Sequence, residues 1–174
     1  MISVMTVSSP VGNLLLAEEA DALIGLWFEG QKYFGAGLPE AKPPERETTV
    51  LRQAAAWLER YFAGKKPSPH ALPLRPAGSA FRQALWQELC EIPYGEVSTY
   101  GEVAKRVAVR MHRPNMPGQA VGGAIGHNPI SIIIPCHRVV AANGSLTGYA
   151  GGLSVKRALL TLEGALPAEG KGSR

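Results

Sequence analysis

Ile134-Pro135-Cys136-His137-Arg138-Val139 sets a cysteine directly before a histidine, at the end of the apolar run Ile130-Ser131-Ile132-Ile133-Ile134. The run is short, hydrophobic and β-branched, which predicts a buried strand. Pro135 has no N–H for a ladder and is expected to end regular pairing there. The stretch thus predicts a thiol on a rigid exit from a sheet, beside a group able to take its proton. An ordinary thiol is mostly protonated at neutral pH, and an adjacent base or positive field creates the nucleophilic thiolate. A plainer reading stays open here. Cysteine is also a common small core residue, and neighbours in sequence need not touch.

Working outward, the chain has 174 residues, 45% hydrophobic and 18% charged, with no low-complexity block. That is enough for one ordinary domain or two small ones with a shared boundary. No run of about 18 apolar residues occurs, and the first residues lack the basic-then-apolar order of a signal peptide. A cytoplasmic protein with no membrane partner is expected. Two cysteines, Cys90 and Cys136, suit a reducing compartment and argue against a disulfide framework. There is no Cys-x-x-Cys pair and the four histidines are scattered, so no metal is expected.

Charge divides the chain. Residues 1–74 carry seven Lys/Arg and eight Asp/Glu, a net of −1, whereas residues 75–174 carry eleven and six, a net of +5. Lys105, Arg106, Arg110 and Arg113 cluster with no acid between them. A basic C-terminal half points to a polyanion partner, although a solvated helix face explains the same cluster.

The first half alternates as strands do, at Ile2 to Val7, Asn13 to Ala17 and Leu23 to Phe28, the last two forming a hairpin around Glu18-Glu19-Ala20-Asp21. Thr48 or Thr49 is placed to cap a helix running to Phe62, with Val50, Ala54, Trp57 and Tyr61 on its apolar face. Lys65 to Pro76 holds four prolines and reads as a linker. Ser79 then caps a helix bearing Phe81, Leu85, Leu89 and Ile92. Thr99-Tyr100-Gly101-Glu102 is a capping box opening another, and Gln119 to Ile125 is a short helix surfaced by Ala120, Gly122, Gly123 and Ala124. Helix, basic turn and small-residue helix predict a helix-turn-helix, whose small side chains allow close approach to a nucleic-acid groove or another backbone. A glycine-rich loop, Asn143 to Gly152, reads as a pocket wall before a last helix, Leu153 to Glu163. Glu163 ends that helix where the macrodipole disfavours an anion, so it is expected to have a partner, most naturally a histidine. The tail from Ala165 to Arg174 is expected to fray.

With these pieces in place the chain resembles the O6-alkylguanine-DNA alkyltransferases. The resemblance rests on Pro135-Cys136-His137-Arg138-Val139-Val140, on Asn128-Pro129, on Tyr149-x-Gly-Gly-Leu153-x-x-Lys156, on Glu163-Gly164, and on Pro93-Tyr94-Gly95 with Tyr100. It covers roughly residues 79–164 and implies an α+β protein. Residues 1–74 would form a small antiparallel sheet with a helix, ribonuclease H-like in outline. Residues 75–174 would form a mostly helical, winged-helix-like DNA-binding and active-site domain.

The resemblance also implies a chemistry. Cys136 would accept the alkyl group of O6-alkylguanine, or of O4-alkylthymine, in one direct and irreversible displacement. Glu163 would orient His137, which would draw the thiol proton through a water, while Asn128 holds the turn. Tyr100 would donate to the purine, and the Cys136 and Val139 carbonyls would recognise its exocyclic amine. Tyr149, Ala150 and Lys156 would line the alkyl pocket. Gln119, Ala120, Gly122 and Gly123 would face duplex DNA carrying a flipped-out lesion, and the positive cluster is expected to bring Arg110 and Arg113 to the same DNA. The protein would act as a monomer, without cofactor or metal, and be consumed in one turnover. Three positions depart from the family pattern: Gln119 stands where an arginine wedge is usual, Ala150 where serine is frequent, and the loop from Val107 to Pro117 is long. Two other functions fit Cys136 and His137 less well. One is a thiol hydrolase, and the other a damaged-DNA binder that performs no repair.

Overall fold

The structure is a computed structural model describing residues 1–166, so most of the tail expected to fray lies outside the described residues. Three strands open the fold: β1 (Ile2–Val7), β2 (Leu14–Glu19) and β3 (Ala22–Phe28), an antiparallel meander in that order. The β2–β3 hairpin is tighter than the sequence predicts. Pairing continues to Glu19 and Ala22, and Ala20 and Asp21 form the turn with φ of 49° and 64°. A two-residue turn with both φ positive matches the right-handed twist of its strands, which lets the ladder run to its end.

Helix α1 (Thr49–Phe62) is capped by Thr48, whose hydroxyl accepts from the Leu51 N–H. Val50, Leu51, Ala54, Trp57, Leu58 and Tyr61 are buried on one stripe, the spacing of an amphipathic helix laid on a sheet. Each large side chain so buried contributes roughly 1.5–3 kcal/mol. The proline-rich segment after α1 does not hang free. The Leu23 N–H donates to Pro73 O and the Arg75 N–H to Leu23 O, so the segment pairs locally with the outer edge of β3.

The second half contains α2 (Ala80–Leu89), capped by Ser79, then β4 (Ser98–Thr99) and α3 (Tyr100–Arg110). The predicted capping box is present: Thr99 accepts from the Glu102 N–H and Glu102 accepts from the Thr99 N–H. Next come α4 (Gly118–Ile125), a 3-10 turn (Cys136–Arg138), β5 (Val139–Val140) and α5 (Leu153–Leu162). β5 pairs with β4 in parallel, so the chain returns beside the start of α3 just after Cys136.

Ile130 to Ile134 is not a strand. Ile130 makes a single bridge to Leu26 of β3, and the chain then turns: Ile132 has a φ of 70° and the Ile134 N–H donates to Ile130 O. All five residues are buried. A run enclosed on every side carries no periodicity to separate a strand from a buried turn. The turn still leans on the sheet, because the Leu26 N–H donates to Pro129 O and the Leu26 carbonyl accepts from the Ser131 N–H. One apolar core, including Leu26, Trp57, Leu85, Val103, Ile132 and Leu159, joins both halves of the chain.

Candidate active site

The site begins with the buried turn. Asn128 donates from Nδ2 to Ile134 O at 2.9 Å and to Cys136 Sγ at 3.2 Å, while its Oδ1 accepts from the Ile130 N–H at 3.0 Å. A neutral amide thus satisfies the turn's backbone and touches the sulfur without adding charge. Cys136 is buried, and burial pushes its thiol up to about 11, against the pull of the Asn128 hydrogen bond and the Lys156 charge. At rest the group is a thiol, so attack requires a base.

His137 is fully buried and its Nε2 lies 2.7 Å from Glu163 Oε2. Burial raises the Glu163 carboxyl, but hydrogen bonds and charge from His137 and Arg138 outweigh it and hold the group at about 2. Glu163 is therefore an anion, which makes Nε2 the protonated nitrogen of a neutral imidazole. Burial lowers the His137 pKa further than Glu163 raises it. Nδ1 keeps its lone pair and has no hydrogen-bond partner among the described residues. The ring offers a base on one nitrogen and is held by a carboxylate through the other.

Glu163 follows α5, at the position where the sequence calls for a partner, and it has several. Oε1 accepts from Arg138 Nε at 2.8 Å and from the Gly95 N–H at 3.3 Å. Oε2 accepts from Arg138 Nη2 at 3.1 Å and from the Tyr61 hydroxyl at 2.5 Å, besides His137. Arg138 also donates to Ile92 O at 2.6 Å, so its charge is fully committed to structure.

A cleft of about 300 Å³ opens nearby, lined by Tyr33, Tyr100, Gly122, His127, Tyr149 and Ala150 among others. Tyr149 joins the cleft to the network: its ring lies 6.2 Å from that of His137 and packs edge-on against Phe28 at 5.6 Å. A Cβ on Gly151 would sit 2.8 Å from the Phe28 ring, so only glycine lets this loop close on the sheet. The Tyr100 hydroxyl lies 2.9 Å from Thr147 Oγ1 at the other side of the opening. Lys156 is fully buried and donates to Val139 O at 2.7 Å, Thr147 O at 2.8 Å and Gly148 O at 3.4 Å. Its ammonium ties the loop to the backbone after Cys136, and burial lowers its pKa to about 8. A larger groove, about 1010 Å³ between Phe62, Leu146 and Leu162, contains none of these network groups.

The helix-turn-helix lies beside the cleft. α4 buries Val121, Ala124 and Ile125 and exposes Gln119, Gly122 and Gly123, with Ala120 half-buried. Arg113 is exposed after α3. Arg110 instead turns to α2, where Nε and Nη2 lie 2.7 and 2.6 Å from Glu88 Oε2 and Nη1 donates to Gln87 Oε1. Among the described residues no group of three or more His, Cys, Asp or Glu is placed to hold a metal, and no helix is long and apolar enough to cross a membrane.

Two contributors from the first half were not read as site residues from the sequence. Tyr61 falls on the apolar stripe of α1 but donates to Glu163, and Tyr33, which stacks on His127 at 4.4 Å, lies in a loop with no periodic signal. Only the packing of the two halves reveals them.

An α+β fold with a buried Cys-His-Glu constellation beside a helix-turn-helix defines a thiol-based protein that works on DNA. Residues 80–165 match the family model described as 6-O-methylguanine DNA methyltransferase, DNA binding domain, and residues 3–76 match its ribonuclease-like domain. The chain belongs to the 6-O-methylguanine DNA methyltransferase family. It is 46% identical to the methylated-DNA–protein-cysteine methyltransferase of Haemophilus influenzae, over 89% of this chain and 82% of that one. Identity to the Mycobacterium tuberculosis protein of the same name is 41%, over 94% and 93%. The crystal structure of Mycobacterium tuberculosis OGT in complex with DNA superposes with a TM-score of 0.80 at 39% identity, covering 94% and 93% of the two chains.

Proposed function

We propose that this chain repairs alkylated duplex DNA by moving the alkyl group from O6 of a flipped-out guanine to Sγ of Cys136. The thiol proton passes to Nδ1 of His137, directly or through a water, and the growing imidazolium is balanced by Glu163. Sγ attacks the alkyl carbon, the carbon–oxygen bond breaks, and its electron pair stays on the purine. Tyr100 supplies a hydrogen bond or proton to that purine as its charge grows. The Val139 carbonyl and the cleft wall at Tyr149 and Ala150 receive the base and its alkyl group. Lys156 fixes the loop that carries that wall. A thioether has no easy way back to a thiol, so each chain acts once.

Duplex DNA lies along α4 in this reading. The Pro117 start of α4 provides no side-chain cap, which leaves N–H groups free for a phosphate. Gln119 enters the space vacated by the flipped base, Gly122 and Gly123 allow close approach, and Arg113 reaches the backbone. Arg110 acts through Glu88 to hold α3 on α2. All groups of the network come from one chain, which is consistent with a monomer as the working form.

The observation that carries this reading is the buried hydrogen bond from His137 Nε2 to Glu163, with Nδ1 left without a hydrogen-bond partner on the residue that follows a buried, protonated Cys136. Titration with duplex DNA containing O6-methylguanine tests it. Repair is expected to stop at one methyl per chain. Continued product formation beyond one equivalent would contradict irreversible transfer and favour hydrolysis.

A further inference from the structure

The relay's carboxylate is held by four residues, and one of them comes from the N-terminal half. The Tyr61 hydroxyl, from α1, donates at 2.5 Å to Glu163 Oε2, the same oxygen that accepts from His137. This side chain is not a loose neighbour. It is fully buried, its ring lies parallel to Trp57 at 5.6 Å, and Phe62 and Tyr94 meet it edge-on at 5.0 and 5.7 Å. Apolar packing alone is served equally well by phenylalanine, and a buried hydroxyl is retained at a cost unless it finds a partner. Here its partner is a carboxylate that already accepts from Arg138 Nε and Nη2 and the Gly95 N–H.

We infer that Tyr61 is a positioning residue for the transfer reaction, fixing Glu163 and limiting how strongly that carboxylate stabilises protonated His137. The inference rests on the proton relay proposed above. A donor shared onto Oε2 withdraws electron density from the bond to His137 Nε2 and so disfavours the imidazolium. The resting histidine then stays neutral, ready to take the thiol proton, down to lower pH. Burial and the nearby carboxylate push the Tyr61 phenol far above its usual range, so it remains a donor at any working pH. The other charged or titratable groups around the pair are Arg138, Lys156, Cys136, Tyr94 and Tyr149. Arg138 sits 5.7 Å from the Tyr94 ring, and Lys156 is bound to backbone carbonyls. Tyr61 donates the one hydrogen bond to Glu163 that comes from the first half of the chain among the described residues.

The test is the pH dependence of single-turnover transfer from free O6-benzylguanine, which separates chemistry from DNA binding. The set is wild type, Tyr61→Phe, Glu163→Gln and Phe62→Leu, with the thermal midpoint of each recorded to confirm folding. Tyr61→Phe is expected to raise the acid-limb midpoint by about one pH unit, as befits loss of one hydrogen bond to a charged group. Its plateau rate is expected to fall severalfold. Glu163→Gln removes the anion that supports the imidazolium, so its midpoint should move down. Phe62→Leu disturbs the same packing without touching a hydrogen bond, and its midpoint should not move. An unmoved midpoint in Tyr61→Phe with a shifted one in Glu163→Gln overturns the role of Tyr61 alone. Equal shifts in Tyr61→Phe and Phe62→Leu also overturn it, since packing then explains both. No shift in Glu163→Gln removes the relay itself, and the inference with it.

Discussion

In the proposed mechanism Sγ of Cys136 and Nδ1 of His137 divide the chemistry between a poor acid and a free base. A thiol held at about 11 is ionised in only about one molecule in ten thousand at neutral pH. Asn128 and Lys156 pull that value down, and burial wins. Proton removal must therefore accompany attack, and the carboxylate that steadies the base becomes rate-determining in effect. Glu163→Gln is expected to slow transfer by about 10²–10⁴-fold. Single-turnover rates on duplex and on free base check this, and both should fall alike because the loss is chemical. Some of this was legible in the sequence. An anion at the end of α5 asks for a partner, and His137 lies beside the cysteine. The share taken by Arg138, Gly95 and Tyr61 was not, because nothing in local spacing links positions 61 and 163.

Helix starts were the most legible elements, since their signals are local. Thr48, Ser79 and Thr99 each accept from an N–H three residues on, as their sequence positions predict. The turn before Cys136 was illegible for the opposite reason: it is enclosed on every side, and it is shaped by Asn128 and by the edge of β3. At α4 the exposed Gln119 is expected to matter only when a duplex must be opened. Gln119→Ala should slow repair of duplex DNA and leave transfer from free O6-benzylguanine nearly unchanged if, as proposed, the side chain fills the hole left by the flipped base. At α3 the basic cluster splits in two. Arg113→Ala should flatten the log–log salt dependence of duplex binding by roughly 0.9 if it contacts one phosphate. Arg110→Ala should leave that slope near the wild-type value and instead lower stability, because Glu88 loses its two shortest contacts and keeps only Arg106 at 3.5 Å. Salt titrations and thermal unfolding of both variants separate the two roles.

The two halves of the molecule are one mechanical unit. β3 carries the turn before Cys136 at Leu26 and backs the pocket wall at Phe28, while α1 delivers Tyr61 to the carboxylate. Acid should expose this coupling. Glu163 is held at about 2 against an ordinary 4.5, so its contribution is fully present above 4.5 and is lost as pH falls toward 2. His137 is also depressed, from 6.5, so it too costs stability as pH falls below that value. The signs agree. Unfolding free energy should decline on acidification and lose on the order of 3 kcal/mol through Glu163 alone between those limits. Urea unfolding across this range should show a flatter pH dependence for Glu163→Gln than for wild type. The order of strands and helices, and the division of charge, could be read along the chain. The docking that unites the halves could not, because it depends on contacts between distant segments such as Leu26 with Ile130.

In the proposed mechanism the relay, and not thiol acidity, selects the acceptor. Cys90 and Cys136 make the comparison direct, since burial raises both thiols to about 11 and only Cys136 adjoins the His137–Glu163 pair. After incubation with one equivalent of O6-methylguanine duplex, peptide mass mapping should find the methyl on Cys136 and an unmodified Cys90. A methyl on Cys90, or on both cysteines in comparable yield, would contradict the account.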